Sequence, residues 1–362
     1  MTNTPSITFS NQQFAHEKHE GLVCVFMGAT SGIGLATLGR LVTIVRSSTF
    51  YVLGRNPERY ATELGDLRKM APTCSIIFIE AQVALISSVD TACDHIKSSE
   101  GKVDIVCMSP GGMPFQGAVY TAEGLETSFA VSYYSRPRLV SNLLPLLCRS
   151  PSPRVLSILN GTKEKRIRED DVGLQNSWSI ISLVNHSTLL TSLAFDHLAA
   201  TAPGAREITF IHATPGFVNT GTARTRYPSR QKDGWLKWLL LTICQNVSGC
   251  IIVYFGMSIK EAGERQAYYL TCDQYTSGSW RTNKHNDLQP DSAALKDYKQ
   301  RGWAEKAWEH TLVAWDRALA TGGAVTRRDI LLRQKLYFVL FVLANDLVHF
   351  LFSPVFPLQF LV

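Results

Sequence analysis

Three glycines carry the first chemical signal in this sequence. Gly28, Gly32 and Gly34 stand in "VCVFMGATSGIGLA" (23–36), directly after an apolar run. A strand that ends in such a turn and continues into a helix leaves the first helical N–H groups without partners, and an anion can take them. In that arrangement Gly28 allows the tight turn. Gly32 and Gly34, flanked by Ser31 and Ile33, let the main chain approach a pyrophosphate and let the helix lie close to the sheet. The chemistry implied is dinucleotide binding. Further on, "VLGRNPER" puts Arg55 just past a second apolar run. A carboxylate there would favour a free ribose 2′-hydroxyl. An arginine pairs with a 2′-phosphate, so NADP is expected in preference to NAD.

Other chemistries are poorly represented. The eight cysteines are scattered without a CxxC pair, and no histidine stands at metal-ligand spacing. Reduced thiols in a cytoplasmic protein with no metal site are the expectation. The chain of 362 residues has an ordinary apolar share of 45%, 18% charged residues and a formal charge of +6. That balance gives no nucleic-acid groove, and the charge cluster Lys163–Arg168 (KEKRIR) reads as a solvated loop.

The elements that must position the glycine turn are visible as alternation. Apolar runs at Leu22–Met27, Phe50–Leu53, Ser75–Ile79, Ile105–Met108, Val155–Leu159 and Ile208–His212 predict strands. Helical patterns near Gly34–Val45, Asn56–Met70, Ser87–Ser98, Leu125–Leu147 and Trp178–Ala200 fall between them. Strands alternating with helices predict an α/β fold: a doubly wound, mostly parallel sheet of the Rossmann type, with helices on both faces and a C-terminal extension. Residues 1–20 read as a polar N-terminal leader and 21–320 as the nucleotide-binding and catalytic domain. Within that domain 220–257 reads as a substrate lid, and 321–362 as a basic and then apolar tail. The start has no continuous apolar core and is neither a secretory signal nor a membrane span. In the tail, nine apolar residues (Leu336–Ala344) meet Asn345 and Asp346, too short a run to span a bilayer. Two readings stay open for it: a peripheral membrane anchor, or a segment that packs on protein.

Taken together these residues resemble the short-chain dehydrogenase/reductase family, and in particular its larger filamentous-fungal members of specialised metabolism. "MGATSGIG" resembles the family's TGxxxGxG. "HATPGFVNT" (His212–Thr220) resembles its PG motif, which implies that Pro215, Gly216, Val218 and Thr220 lie along the nicotinamide half of the cofactor. "EGLETSFAVSYYSRPRLVSNLLPLL" resembles its long fourth helix, and "IKEAGERQAYYLT" and "LKDYKQRGWAEKAWEHT" its C-terminal portion. The resemblance also implies Gln82 near the adenine, Gly111 in "CMSPGG" along the cofactor, and a homodimer.

The family's chemistry uses a tyrosine and a lysine one helical turn apart, with a serine and an asparagine. Aligning "DDVGLQNSWSIISLVNH" by Asp170–Asp171 places Trp178 in the tyrosine position and Ser182 in the lysine position. A shift of one gives Ser179 and Leu183. "SILNGTK" places Asn160 where the serine belongs, and Ser132 takes the asparagine's place. An indole has no ionisable proton in the useful range. Asn160 can still donate to a substrate oxygen. His186, and one of Tyr133 and Tyr134, are the other candidates for a proton role, since a regular helix turns only one of two adjacent tyrosines inward. The function implied is an NADP(H)-dependent oxidoreductase acting on an apolar alcohol or ketone. The alternatives are a non-redox isomerase, cyclase or dehydratase on the same scaffold, or a nucleotide-binding protein without catalysis.

Overall fold

The computed structural model describes residues 3–112, 114, 117–202, 204, 207–220 and 256–322. The apolar runs become β1 (Val23–Met27), β2 (Thr49–Gly54), β3 (Ser75–Glu80), β4 (Ile105–Met108), β5 (Arg154–Ile158) and β6 (Thr209–Ala213). A seventh strand, β7 (Gly278–Thr282), completes a parallel sheet in the order β3-β2-β1-β4-β5-β6-β7. All five residues of β1 are buried because helices cover both faces, as a parallel sheet requires. Side chains alternate between the faces: Cys24 and Phe26 join one core, while Val23, Val25 and Met27 join the other.

The first core takes Leu38 and Leu41 from α2 (Gly32–Val42). The second takes Val89 and Ile96 from α4 (Ile86–Ser99), which follows α3 (Pro57–Met70) in the chain. Phe195 of α7 (Ile180–Thr201) joins the second core as well. The chain reverses its direction of growth between β1 and β4, and a doubly wound sheet binds its ligands outside the carboxyl ends of the strands at such a point.

The predicted helix 125–147 is not regular. It consists of α5 (Thr127–Phe129), a π-helical turn (Ala130–Tyr134) and α6 (Ser135–Leu147). The wider turn corrects the expectation for the tyrosine pair. Both rings are buried, with Tyr133 Oη 2.5 Å from Thr311 Oγ1 and Tyr134 Oη 2.9 Å from His310 Nε2 of the 303–322 helix. Burial holds both phenols above their usual range. Neither hydroxyl is left to serve a cleft.

Within the 1–20 leader, Asn3 caps α1 (Thr4–His16), which packs on α8 (Ile259–Thr271). The seam is polar: Thr4 donates to Glu261, and Asn11 donates to Glu264. After β7 the chain forms α9 (Ala293–Gln300) and the 303–322 helix. Among the described residues six cysteines are free, no group of residues could hold a metal ion, and no helix is long and apolar enough to cross a membrane. Most of the 220–257 lid and of the 321–362 tail lies outside the described residues.

Candidate functional site

The glycine turn joins the carboxyl end of β1 to α2. Gly28 takes φ +88°, and a Cβ there would lie 2.8 Å from Pro110 Cα. A Cβ on Gly34 would lie 2.5 Å from the Gly28 carbonyl oxygen and on top of the Ser109 hydroxyl. Both positions therefore serve close packing of helix, turn and the loop after β4, which Ser109 ties down by donating to Gly28 O at 3.0 Å. Gly32 differs. Its φ is +62°, and the nearest atom to an added Cβ is Thr220 Cγ2 at 3.7 Å. Among the described residues, space thus remains in front of the first turn of α2, whose N–H groups the exposed Ser31 side chain does not cap. Ile33 is half-buried against the core.

Thr220 brings the end of the Pro215–Thr220 loop over this corner. That loop leaves β6 with Gly216 at φ +73°, and Val218 pairs with Met257. Arg55 follows β2 and is exposed. Gln82 follows β3, exposed, with its main-chain N–H on Ser88 Oγ at 3.0 Å. Gly111 follows β4 with nothing within 4 Å of an added Cβ. Gly28, Arg55, Gln82, Gly111, Asn160 and Pro215 thus all follow the carboxyl ends of strands, along one edge of the sheet.

Asn160 comes two residues after β5, half-buried, and its carboxamide meets no partner among the described residues. Its main-chain N–H donates to His212 Nε2 at 3.4 Å. His212 Nδ1 lies 2.9 Å from Ser192 Oγ, and Ser192 donates to Glu164 Oε1 at 2.7 Å. Burial, Arg136 and Arg281 hold His212 well below the usual imidazole range, so it is neutral. Glu164 lies inside the cluster read as a solvated loop, yet is only 5% exposed, with Oε2 unpartnered. Lys163, Lys165 and Arg166 around it are exposed as expected.

Trp178 packs half-buried against the cluster of Phe129, Tyr133, Leu174 and Leu183, with its indole N–H buried and without an acceptor. Ser182 lies in the first turn of α7. Its N–H is capped by Ser179 Oγ at 3.0 Å, and its hydroxyl accepts from the same group at 2.8 Å. The contact between α7 and Asn160 therefore runs through Ser192 and His212, ten residues beyond Ser182. His186 has both nitrogens engaged, Nδ1 with Val172 O at 3.1 Å and Nε2 with the Arg168 N–H at 3.0 Å. It is a satisfied buried histidine.

Sequence reasoning missed Arg136, His212, Ser192 and Glu164. Arg136 had a faint signal, one of two arginines in the largely apolar α6. The other three come from separate elements and share no local pattern.

A doubly wound parallel sheet with an open glycine turn at its switch point defines the Rossmann class. No protein-family model matches the chain. Sequence relatives include an oxidoreductase of Emericella nidulans, 31% identical over 326 residues, covering 82% of this chain and 94% of the relative. An oxidoreductase of Aspergillus flavus is 32% identical over 337 residues, covering 83% and 92%. A short-chain dehydrogenase/reductase of Stachybotrys chartarum is 26% identical, covering 82% and 92%. Among solved structures, L-sorbose reductase of Gluconobacter frateurii, complexed with NADPH and L-sorbose, shares the fold with TM-score 0.51 at 16% identity, covering 74% of this chain and 97% of the reductase. The chain belongs to the short-chain dehydrogenase/reductase family of oxidoreductases.

Proposed function

We propose that the protein is an NADP(H)-dependent oxidoreductase acting on an apolar alcohol or ketone. The observation that carries this reading is the corner in front of Gly32, left open by the described residues at the amino end of α2 while Gly28 and Gly34 are packed tight. The residues there fit a dinucleotide: first-turn N–H groups for the pyrophosphate, Arg55 for a 2′-phosphate, and Gln82 beside the adenine. Gly111 and the Pro215–Thr220 loop would hold the other half. Structural neighbours solved with NADPH bound support the same choice of nucleotide. When bound, the nucleotide supplies or accepts the hydride.

Asn160 then orients a substrate oxygen with its free carboxamide. Trp178, in the position of the family's tyrosine, has no proton to give. The proton reaches the oxygen from solvent or from the substrate itself. Ile181 and Phe217, each 74% exposed, are the two most exposed large apolar side chains among the described residues. They belong to the first turn of α7 and the loop after β6, which supports an apolar substrate.

The test is titration of the purified protein with NADPH and NADH. NADPH should bind in the micromolar range and NADH at least about tenfold more weakly. Charge reversal in Arg55→Glu should erase the difference; absence of NADPH binding ends the reading. One observation favours a second reading, a nucleotide-binding protein that moves no hydride: the half-buried Trp178 ring in the tyrosine position. Bound NADPH that survives a broad carbonyl panel unoxidised would select it.

A further inference from the structure

Arg136 is 0% exposed, on α6 beneath the carboxyl ends of β4 and β5. Its guanidinium donates to Met108 O at 3.1 Å, Pro110 O at 2.5 Å, Ser157 Oγ at 2.7 Å and Ile158 O at 3.3 Å. Every acceptor is neutral, and among the described residues no carboxylate pairs with it and Nε has no partner. Burial of a charge is expensive unless an opposite charge compensates it. Here the N–H groups are mostly satisfied and the charge is not. Burial pushes the group down to about 9, so it remains a cation at neutral pH. Its field is felt locally, since it helps keep His212 neutral, and His212 touches Asn160.

The sheet order says what lies above this cation. A dinucleotide with its phosphates at the amino end of α2 and its adenosine towards Arg55 and Gln82, past β2 and β3, must run the other way across β1, β4 and β5 to reach Asn160. Its nicotinamide end thus comes to the floor that Arg136 supports, between Pro110 and Ile158. The oxidised ring carries a positive charge and the reduced ring none.

We propose that Arg136 sets the redox form of the nucleotide that the cleft prefers, by disfavouring the cationic oxidised ring and favouring the neutral reduced one. The inference rests on the cofactor reading above and gives it a direction: the site binds NADPH, reduces its substrate and releases NADP⁺. Arg136 acts through space and through the floor it pins, as a positioning residue.

The test compares dissociation constants of NADPH and NADP⁺ for the wild type, Arg136→Lys and Arg136→Gln, with 2′-phospho-ADP-ribose, which has no ring, as reference. The wild type should bind NADPH about tenfold or more tightly than NADP⁺, the scale of one charge–charge interaction across a protein interior. Arg136→Lys should keep that ratio. Arg136→Gln should bring it to within about threefold while leaving the ring-free reference unchanged. A merely loosened fold would weaken all three ligands together and leave the ratio alone. Equal wild-type affinities, or a ratio unmoved by Arg136→Gln, overturn the proposal while the cofactor reading stands. Loss of all dinucleotide binding in the wild type overturns both. Should Arg136→Gln fail to fold, the wild-type ratio decides.

Discussion

The main-chain N–H of Asn160 donates to Nε2 of His212, and this one contact fixes the order of a buried chain. Nε2 must be the unprotonated nitrogen, so Nδ1 carries the hydrogen and donates to Ser192 Oγ. The serine hydroxyl then has its own hydrogen free for Glu164 Oε1. Four residues from one loop, one strand and one helix are linked in a single direction. Ser192→Ala removes the acceptor for His212 and a donor for Glu164, both deep in the protein. The expected cost is about 2–4 kcal/mol of unfolding free energy by urea denaturation. A loss under about 0.5 kcal/mol would show that the chain does not hold the Asn160 loop.

The same histidine gives stability a pH dependence. Burial, with Arg136 and Arg281, depresses His212 well below 6.5, and burial depresses His186, His197 and His310 in the same direction. Above the ordinary imidazole range both folded and unfolded chains are neutral at these sites, and pH has no leverage. Below it the unfolded chain takes up protons that the folded one refuses, so acidification favours unfolding. Stability should be level above about pH 7.5 and fall between about pH 7 and 5. The carboxylates held low, Asp171 and Asp291 among them, contribute only at more acid pH. Urea curves that stay superimposable across the histidine window would contradict this account.

Glu123 tests a different joint. Its buried carboxylate accepts from the N–H of Ile86 at 2.5 Å, and from the N–H and hydroxyl of Ser87 at 2.9 and 2.6 Å. Leu85, at the N-cap position of α4, has no side chain able to do this. Glu123→Ala should cost about 2–3 kcal/mol and lower the melting temperature by several degrees. Glu123→Gln, which keeps one acceptor oxygen, should recover part of the loss.

Legibility of the fold followed burial. Six strands showed in the sequence because a parallel sheet covered on both faces demands continuous apolar runs. β7 did not, because "GSWRT" is largely polar: Arg281 enters the sheet by pairing with Asp196 at 2.6 Å and Asp291 at 3.1 Å. α1 escaped for the same reason, being held by Thr4 and Asn11 more than by its one buried apolar residue, Ile7. The π-helical turn left no trace in hydrophobic spacing, which is why Tyr133 and Tyr134 read as alternatives. In the site, the glycines were legible because a tight turn accepts few other residues. Arg136, His212 and Glu164 were not, because what distinguishes them is burial beside partners 20 or more residues away.

Restoring the family's missing pair asks directly whether this cleft can transfer hydride. Position 178 lies just before the Ser179 N-cap and position 182 in the first turn of α7, so Trp178→Tyr and Ser182→Lys would place a phenol and an ammonium four residues apart at the entry to the helix. The helix start should tolerate the change, since Ser179 caps it through the main-chain N–H of residue 182. The indole N–H that Trp178→Tyr removes is already without a partner. A tyrosine alone keeps a pKa near 10 and is a poor acid; a lysine beside it brings that towards neutrality. The double variant should therefore raise NADPH-dependent reduction of a ketone panel by about 10²–10⁴ over the wild type, and Trp178→Tyr alone by much less. A correctly folded, NADPH-binding double variant that remains at background would place the protein among those that hold the nucleotide without using its hydride.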